Sequence, residues 1–256
     1  MTDGKGRVAL VTGGGKGIGR AIAERLLADG FDVVMCGRNA PAELPSNAAR
    51  AATFEACDVR SAEEVQAMID RIEARHGRLD LVVNNAGGSP EANAATASPR
   101  FSERVLALNL LGPLHVAQAA NWIMQAQAEG GAIVNIASVS GVRPSPGTAV
   151  YGAAKAGLLS LTESLAMEWG PKVRVNAVVV GLVATEAAAD HYGGEAGMKR
   201  IDAMLPLGRM ARGADIAGAV SFLASADAAY VSGAKIAVHG GGERPLFLTL
   251  AEAKGE

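Results

Sequence analysis

Arg7-Val8-Ala9-Leu10-Val11-Thr12 runs directly into Gly13-Gly14-Gly15-Lys16-Gly17-Ile18-Gly19, and the order of these two pieces decides the fold. The first piece is short, apolar and rich in branched side chains, as in a strand buried on both faces of a parallel sheet. The second is a glycine turn. After it, residues 20–29 carry helical periodicity and stop at Gly30, a C-terminal cap. Strand, glycine turn and helix in that order form the setting of a dinucleotide fingerprint. Glycines let the backbone turn tightly and approach a pyrophosphate, which rests on free N–H groups at the helix N-terminus. Gly13, Gly14, Gly15, Lys16, Gly17, Ile18 and Gly19 are therefore the first candidate cofactor contacts.

The rest of the chain alternates in the same way. Residues 31–36 and 51–56 read as strands, and 61–76 as a helix that opens with Ser61-Ala62-Glu63-Glu64, a capping-box form, and ends at Gly77. Strands over 79–83, 132–136, 173–179 and 235–238 alternate with a long helical region after Pro99 and helices over 151–169 and 214–224. No internal repeat or linker interrupts the pattern. It predicts a Rossmann-like, doubly wound α/β fold: a mainly parallel sheet with helices on both faces. One domain is expected over 1–256, with an apolar C-terminal tail over about 243–256. In such sheets ligands bind beyond the carboxyl ends of the strands. The glycine turn, Asp58, Asn85 and Ser138 all follow strands, so they converge on one edge.

Tyr151-Gly152-Ala153-Ala154-Lys155 opens one of these helices. Positions four apart share a helix face, so the ammonium lies beside the phenol. A free phenol titrates near pH ~10 and is a poor proton shuttle at neutrality. A neighbouring cation favours the phenolate, which would make the group a usable general acid or base.

The spacing Thr12-Gly13-x-x-x-Gly17-x-Gly19 departs from G-x-G-x-x-G and resembles the fingerprint of the short-chain dehydrogenase/reductase family. Tyr151 and Lys155 resemble that family's active-site pair. Asn84-Asn85-Ala86-Gly87, Asn109, Ser138 and the stretch 176–185 resemble further family motifs in the same order along nearly the whole chain. The resemblance implies an oxidoreductase that moves a hydride between a nicotinamide and a ketone or secondary alcohol. Ser138 would hydrogen-bond the carbonyl, Tyr151 would donate the proton, and Lys155 would depress the tyrosine pKa and hold the nicotinamide ribose. Asn109 would anchor a water leading to Lys155. Asp58, Val59, Asn85, Ala86, Gly87, Gly181, Val183 and Thr185 are the remaining implied cofactor contacts. Donors aimed at the carbonyl oxygen stabilise the charge that builds there more than they stabilise the substrate.

Cofactor choice is read from charge. An NAD site places a carboxylate after the second strand. This chain has Gly37-Arg38-Asn39 there, and Lys16 in the glycine turn. Arg38 can pair with a ribose 2′-phosphate through its planar fork, so NADP(H) is favoured over NAD(H).

Two departures from the family pattern stand out. Val180 replaces a usual proline before Gly181, which frees a φ angle and adds an N–H that needs a partner. His239 stands where many relatives carry an acid, and reads as structural. The family's compact branch includes 3-oxoacyl-carrier-protein reductases, yet no Lys or Arg occurs between Arg104 and Arg143 to dock an acidic carrier. Val139, Val142, Pro144, Pro146, Ala184 and a lid over 186–205 are expected to line the substrate side. The expected substrate is uncharged and of medium size, an acyl thioester or a cyclic or steroid-like ketone. The alternative is a non-catalytic NADP-binding sensor acting through a protein partner.

With 20% charged residues and a net charge of −2, nothing points to nucleic acid or an anionic membrane surface. A cytoplasmic protein is expected, because no run is long enough to span a bilayer and the N-terminus shows no secretory pattern. Cys36 and Cys57, the only cysteines, read as reduced packed thiols, and no metal cluster is expected. The helical stretch 109–125 and the helix from Tyr151 are apolar on more than one face. Such helices must be buried twice, which predicts a homotetramer or homodimer.

Overall fold

The computed structural model describes residues 6–186, 188, 192–245, 247 and 248. Its strands are β1 Val8–Thr12, β2 Asp32–Gly37, β3 Thr53–Ala56, β4 Leu81–Asn84, β5 Gly131–Ser138, β6 Val173–Val180 and β7 Lys235–Val238. They form one sheet in the order β3-β2-β1-β4-β5-β6-β7, and every pairing is parallel. Side chains alternate between the faces. Ala9 and Val11 of β1 pack with Ile22, Leu26, Ile216 and Val220, from α1 Gly17–Ala28 and α7 Gly213–Ala224. Val8 and Leu10 pack with Val65, Ile69, Val116 and Leu165, from α2 Ala62–His76, α4 Gly112–Ala126 and α5 Ala149–Trp169. Cys36 and Cys57 are free and buried.

Strand order reverses between β1 and β4, and a doubly wound sheet opens its ligand crevice at that point. Both flanking loops, the glycine turn and the segment after Asn84, carry candidate site residues. The two loops are pinned to each other. The Thr12 hydroxyl accepts from the Asn85 and Ala86 N–H groups at 3.0 and 2.9 Å. Asn85 Nδ2 donates to the Thr12 and Gly13 carbonyls at 2.9 and 3.2 Å.

Three details differ from the sequence reading. The capping box of α2 is half formed: Ser61 Oγ accepts from the Glu64 N–H at 3.2 Å, but Glu64 Oε2 accepts from the Asp58 N–H at 2.9 Å. The long helix after Pro99 is broken into α3 Pro99–Leu106, a π-helical turn Ala107–Leu111, and α4. Val180 is absorbed into β6, in register with Ser138 on one side and Val238 on the other. A residue with an N–H can continue the ladder where proline would stop it. The described part of the expected lid holds a helix, α6 Gly194–Met204. Residues 187 and 189–191 of that segment, and 246 and 249–256 of the apolar tail, lie outside the described residues.

Candidate active site

Two glycines in the glycine turn, Gly13 and Gly17, adopt positive φ angles of 65° and 52°. A methyl group on Gly19 would lie 2.3 Å from the Gly13 carbonyl oxygen, so the turn closes only with hydrogen at that position. The N-cap of α1, Lys16, makes no side-chain capping bond, so its own side chain leaves the first N–H groups of the helix open. Lys16 and Arg38 are exposed, while Ile18 packs on the core. An open cradle of N–H groups flanked by two cations suits an anionic dinucleotide. The loop after β6 reaches the same place: a methyl on Gly17 would sit 3.7 Å from Thr185 Cγ2. Val183 bridges to Ala211, and Gly181 lies so close to His239 that its own Cβ would approach that side chain to 2.7 Å.

Asp58 and Asn85 are more occupied than the motifs imply. The Asp58 carboxylate accepts from Arg60 Nε at 2.9 Å and from the Arg60 N–H at 3.1 Å, and is paired with Nη2 as well. Those bonds hold its carboxyl below the ordinary carboxylate range, with a smaller contribution from the Arg38 charge. Val59 is buried against Gly112 at the head of α4. Both Asn85 amide bonds go to the glycine turn, so the residue acts first as its brace.

Ser138 ends β5, and its hydroxyl accepts from the Ser140 N–H at 3.1 Å. The following turn, Val139–Gly141, packs on the first turns of α5. The contact is close because Gly152 has no side chain: a Cβ there would meet the Ser140 carbonyl oxygen at 2.9 Å. This proximity lets the Ser138 hydroxyl act on the Tyr151 phenol, favouring its ionised form. Lys155 Nζ lies 5.7 Å from the centre of the Tyr151 ring and donates to the Ile136 carbonyl at 2.8 Å.

Asn109 sits inside the π-helical turn and is fully buried. Its amide clasps the loop after β4: Nδ2 donates to Gly88 O at 3.0 Å, and Oδ1 accepts from the Gly88 N–H at 3.1 Å. Nδ2 also donates to the Val105 carbonyl at 3.0 Å. A Cβ on Gly87 would lie 2.8 Å from Asn109 Oδ1 and 3.6 Å from Lys155 Nζ, so this loop, the amide and the ammonium crowd one spot. π-turns recur at functional sites because they re-aim a side chain without ending the helix.

Titration behaviour corrects one expectation. Burial pushes the Tyr151 phenol above its ordinary value, the Ser138 hydroxyl opposes that shift, and Tyr192 adds to it. Lys155, only 4% exposed, is itself lowered to about 8 by burial. In a dry site desolvation of the phenolate dominates the shift. The phenol therefore stays protonated at neutral pH.

Sequence reasoning did not single out three participants. Thr12 pins the two loops, Tyr192 acts electrostatically on Tyr151, and Asn84 joins a buried amide chain. In that chain Asn84 Nδ2 donates to Asn135 Oδ1 at 2.9 Å and Asn135 Nδ2 donates to Thr162 Oγ1 at 2.9 Å, tying β4, β5 and α5 together. Asn84 lies in the quoted motif, so its presence was a signal. Tyr192 lies in no motif.

A family model described as enoyl-(acyl carrier protein) reductase matches residues 13–243. An uncharacterised short-chain type dehydrogenase/reductase of Sinorhizobium fredii is 40% identical over 242 residues, covering 92% of this chain and 43% of the relative. The chain thus spans less than half of that relative's length. 4-Formylbenzenesulfonate dehydrogenase of Comamonas testosteroni is 39% identical over 245 residues, with 92% of this chain and 97% of that protein covered. Among solved structures, the aldohexose dehydrogenase of Thermoplasma acidophilum in ligand-free form superposes with a TM-score of 0.86 at 30% identity, covering 93% and 94% of the two chains.

Proposed function

The chain belongs to the short-chain dehydrogenase/reductase family of oxidoreductases, and we propose that it is an NADP(H)-dependent reductase of uncharged, medium-sized ketones. The observation that carries this reading is the convergence of Ser138, Tyr151, Lys155 and Asn109 beside the glycine turn. When bound, the nicotinamide supplies a hydride to the carbonyl carbon or takes one from the alcohol. Gly13, Gly14, Gly15, Lys16, Gly17, Ile18 and Gly19 would hold the pyrophosphate end of the cofactor, and residues 181–185 with Lys155 the nicotinamide end. Ser138 fixes the carbonyl oxygen by hydrogen bonding, and Tyr151, already protonated, gives that oxygen its proton. The Lys155 charge then stabilises the phenolate left behind. Loss of NADPH absorbance with a panel of ketones and 3-oxoacyl thioesters tests the reading; no turnover across the panel opposes it. No observation favours the non-catalytic sensor.

NADP(H) selectivity rests on Arg38 and on the absence of an acid after β2. Replacing Arg38 with Asp should weaken NADPH binding about tenfold or more, because a charge-assisted fork is lost and a like charge put in its place. NADH binding should be unchanged or improved. Fluorescence titration of both cofactors measures this, and an unaltered NADPH affinity contradicts the assignment.

Assembly into a homotetramer or homodimer belongs to the same proposal, as does a cytoplasmic setting. No described helix is long and apolar enough to cross a membrane. Trp122 on α4 is 80% exposed and Met167 on α5 is 87% exposed, leaving apolar surface wet in a single chain. Light scattering at micromolar concentration should return a multiple of the chain mass, and a clean monomer removes the proposal.

A further inference from the structure

The loops after β5 and β7 are tied together across the end of β6. Arg143, in the loop between Ser138 and Tyr151, donates from Nη2 to Glu243 Oε1 at 2.5 Å, joining residues 100 positions apart. Its Nη1 donates to the Pro144 carbonyl at 3.0 Å, which fixes the guanidinium on its own loop. Glu243 follows Gly240-Gly241-Gly242, just beyond β7. Because β6 lies between β5 and β7, the ion pair spans the crevice outside the carboxyl end of β6, where the stretch 181–185 begins. Tyr192 is within electrostatic reach of both partners, raised by burial and by Glu243 and lowered by Arg143. It acts in turn on Tyr151. The loop that carries Arg143 also packs beside the phenol's helix turn: a Cβ on Gly152 would meet the Ser140 carbonyl oxygen at 2.9 Å and Ser145 Cβ at 3.1 Å.

We propose that the Arg143–Glu243 pair is a specificity element, in which Glu243 masks the guanidinium so that the site accepts uncharged carbonyl compounds and rejects anionic ones. The proposal rests on the reductase reading above and narrows its substrate class. A lone guanidinium in this crevice would be a good carboxylate receptor, since its planar fork matches two oxygens. With Glu243 in that fork, an incoming carboxylate must displace a resident one and then face it as a like charge. An uncharged substrate meets a guanidinium whose charge is already matched by Glu243. The two side chains are 39% and 28% exposed, so solvent screens the effect and its expected size is modest.

Calorimetric binding of ethyl 4-oxopentanoate and of 4-oxopentanoate, with NADP⁺ present so that neither is reduced, tests the masking. Wild type should prefer the ester. Glu243→Gln should shift the preference toward the anion by about threefold, with NADP⁺ affinity unchanged. Arg143→Gln should retain ester binding and reject the anion further. An unchanged ester-to-anion ratio in Glu243→Gln overturns the proposal, as does failure of every protein to bind either ligand. NADPH-dependent reduction of the ester is followed in parallel. If the ratio shifts but neither the ester nor any member of the ketone and thioester panel is reduced, the reductase reading fails and the masking stands. If the ester is reduced but the ratio is fixed, only the masking fails.

Discussion

Tyr151→Phe is expected to lower kcat for ketone reduction by about three orders of magnitude while NADPH affinity stays within about twofold, as for removal of a positioned proton donor. The ring and its packing survive this substitution; only the hydroxyl is lost. Steady-state rates and a fluorescence titration separate the two effects. Unaltered turnover would remove Tyr151 from the proton path. Direction matters as well. Because burial raises the phenol, reduction should be level through neutral pH and fall only in the alkaline range. Alcohol oxidation, which needs the phenolate, should rise with pH over the same interval.

A second large effect is expected in stability. Burial lowers Lys155 from 10.5 to about 8 in the folded protein. Between those values the unfolded chain binds a proton that the folded chain has released. Unfolding free energy therefore increases with pH across this window, and the displacement corresponds to about 3 kcal/mol at most. Below pH 8 both states are protonated and the buried ammonium costs the fold that amount. In Lys155→Met this contribution should be lost, lowering the slope by that amount. Methionine leaves the Ile136 carbonyl without its donor, but that cost is independent of pH and does not alter the slope. Urea unfolding of both proteins at neutral and at alkaline pH, without cofactor, supplies the comparison; parallel profiles would contradict the assignment.

Local order along the chain was legible wherever short-range chemistry decides it. Gly13 and Gly17 announce a turn because positive φ angles demand glycine, and the spacing of Tyr151 and Lys155 announces a shared helix face. Lys235–Val238 was read with its observed bounds. Neighbour order in the sheet was not legible beyond its class, since it depends on contacts distant in sequence. The π-helical turn was hidden for a different reason: Leu108-Asn109-Leu110 fits an ordinary apolar helix, and only the Gly88 loop it must meet reveals the wider winding. The direction of the Tyr151 shift escaped because burial is a tertiary quantity, whereas proximity to a lysine can be read from spacing. The motifs mark Asp58 and Asn85 as cofactor contacts, but Arg60 and the Thr12 and Gly13 carbonyls already use much of their hydrogen-bonding capacity. Arg143 and Glu243 could not be paired from sequence at all.

In the wide turn at Ala107–Leu111, the Gly112 N–H bonds to the Ala107 carbonyl five residues back. An ordinary helix would use one residue fewer there. Excising a single residue from this stretch would restore regular winding while leaving the flanking turns near their present places, because the wide turn absorbs the extra residue locally. Asn109 would then be severed from Gly88, even though every side chain of the site had been kept. The buried amide is thus aimed by a count of residues, and the protein should accept many replacements along α3 and α4 but no shortening of the wide turn between them.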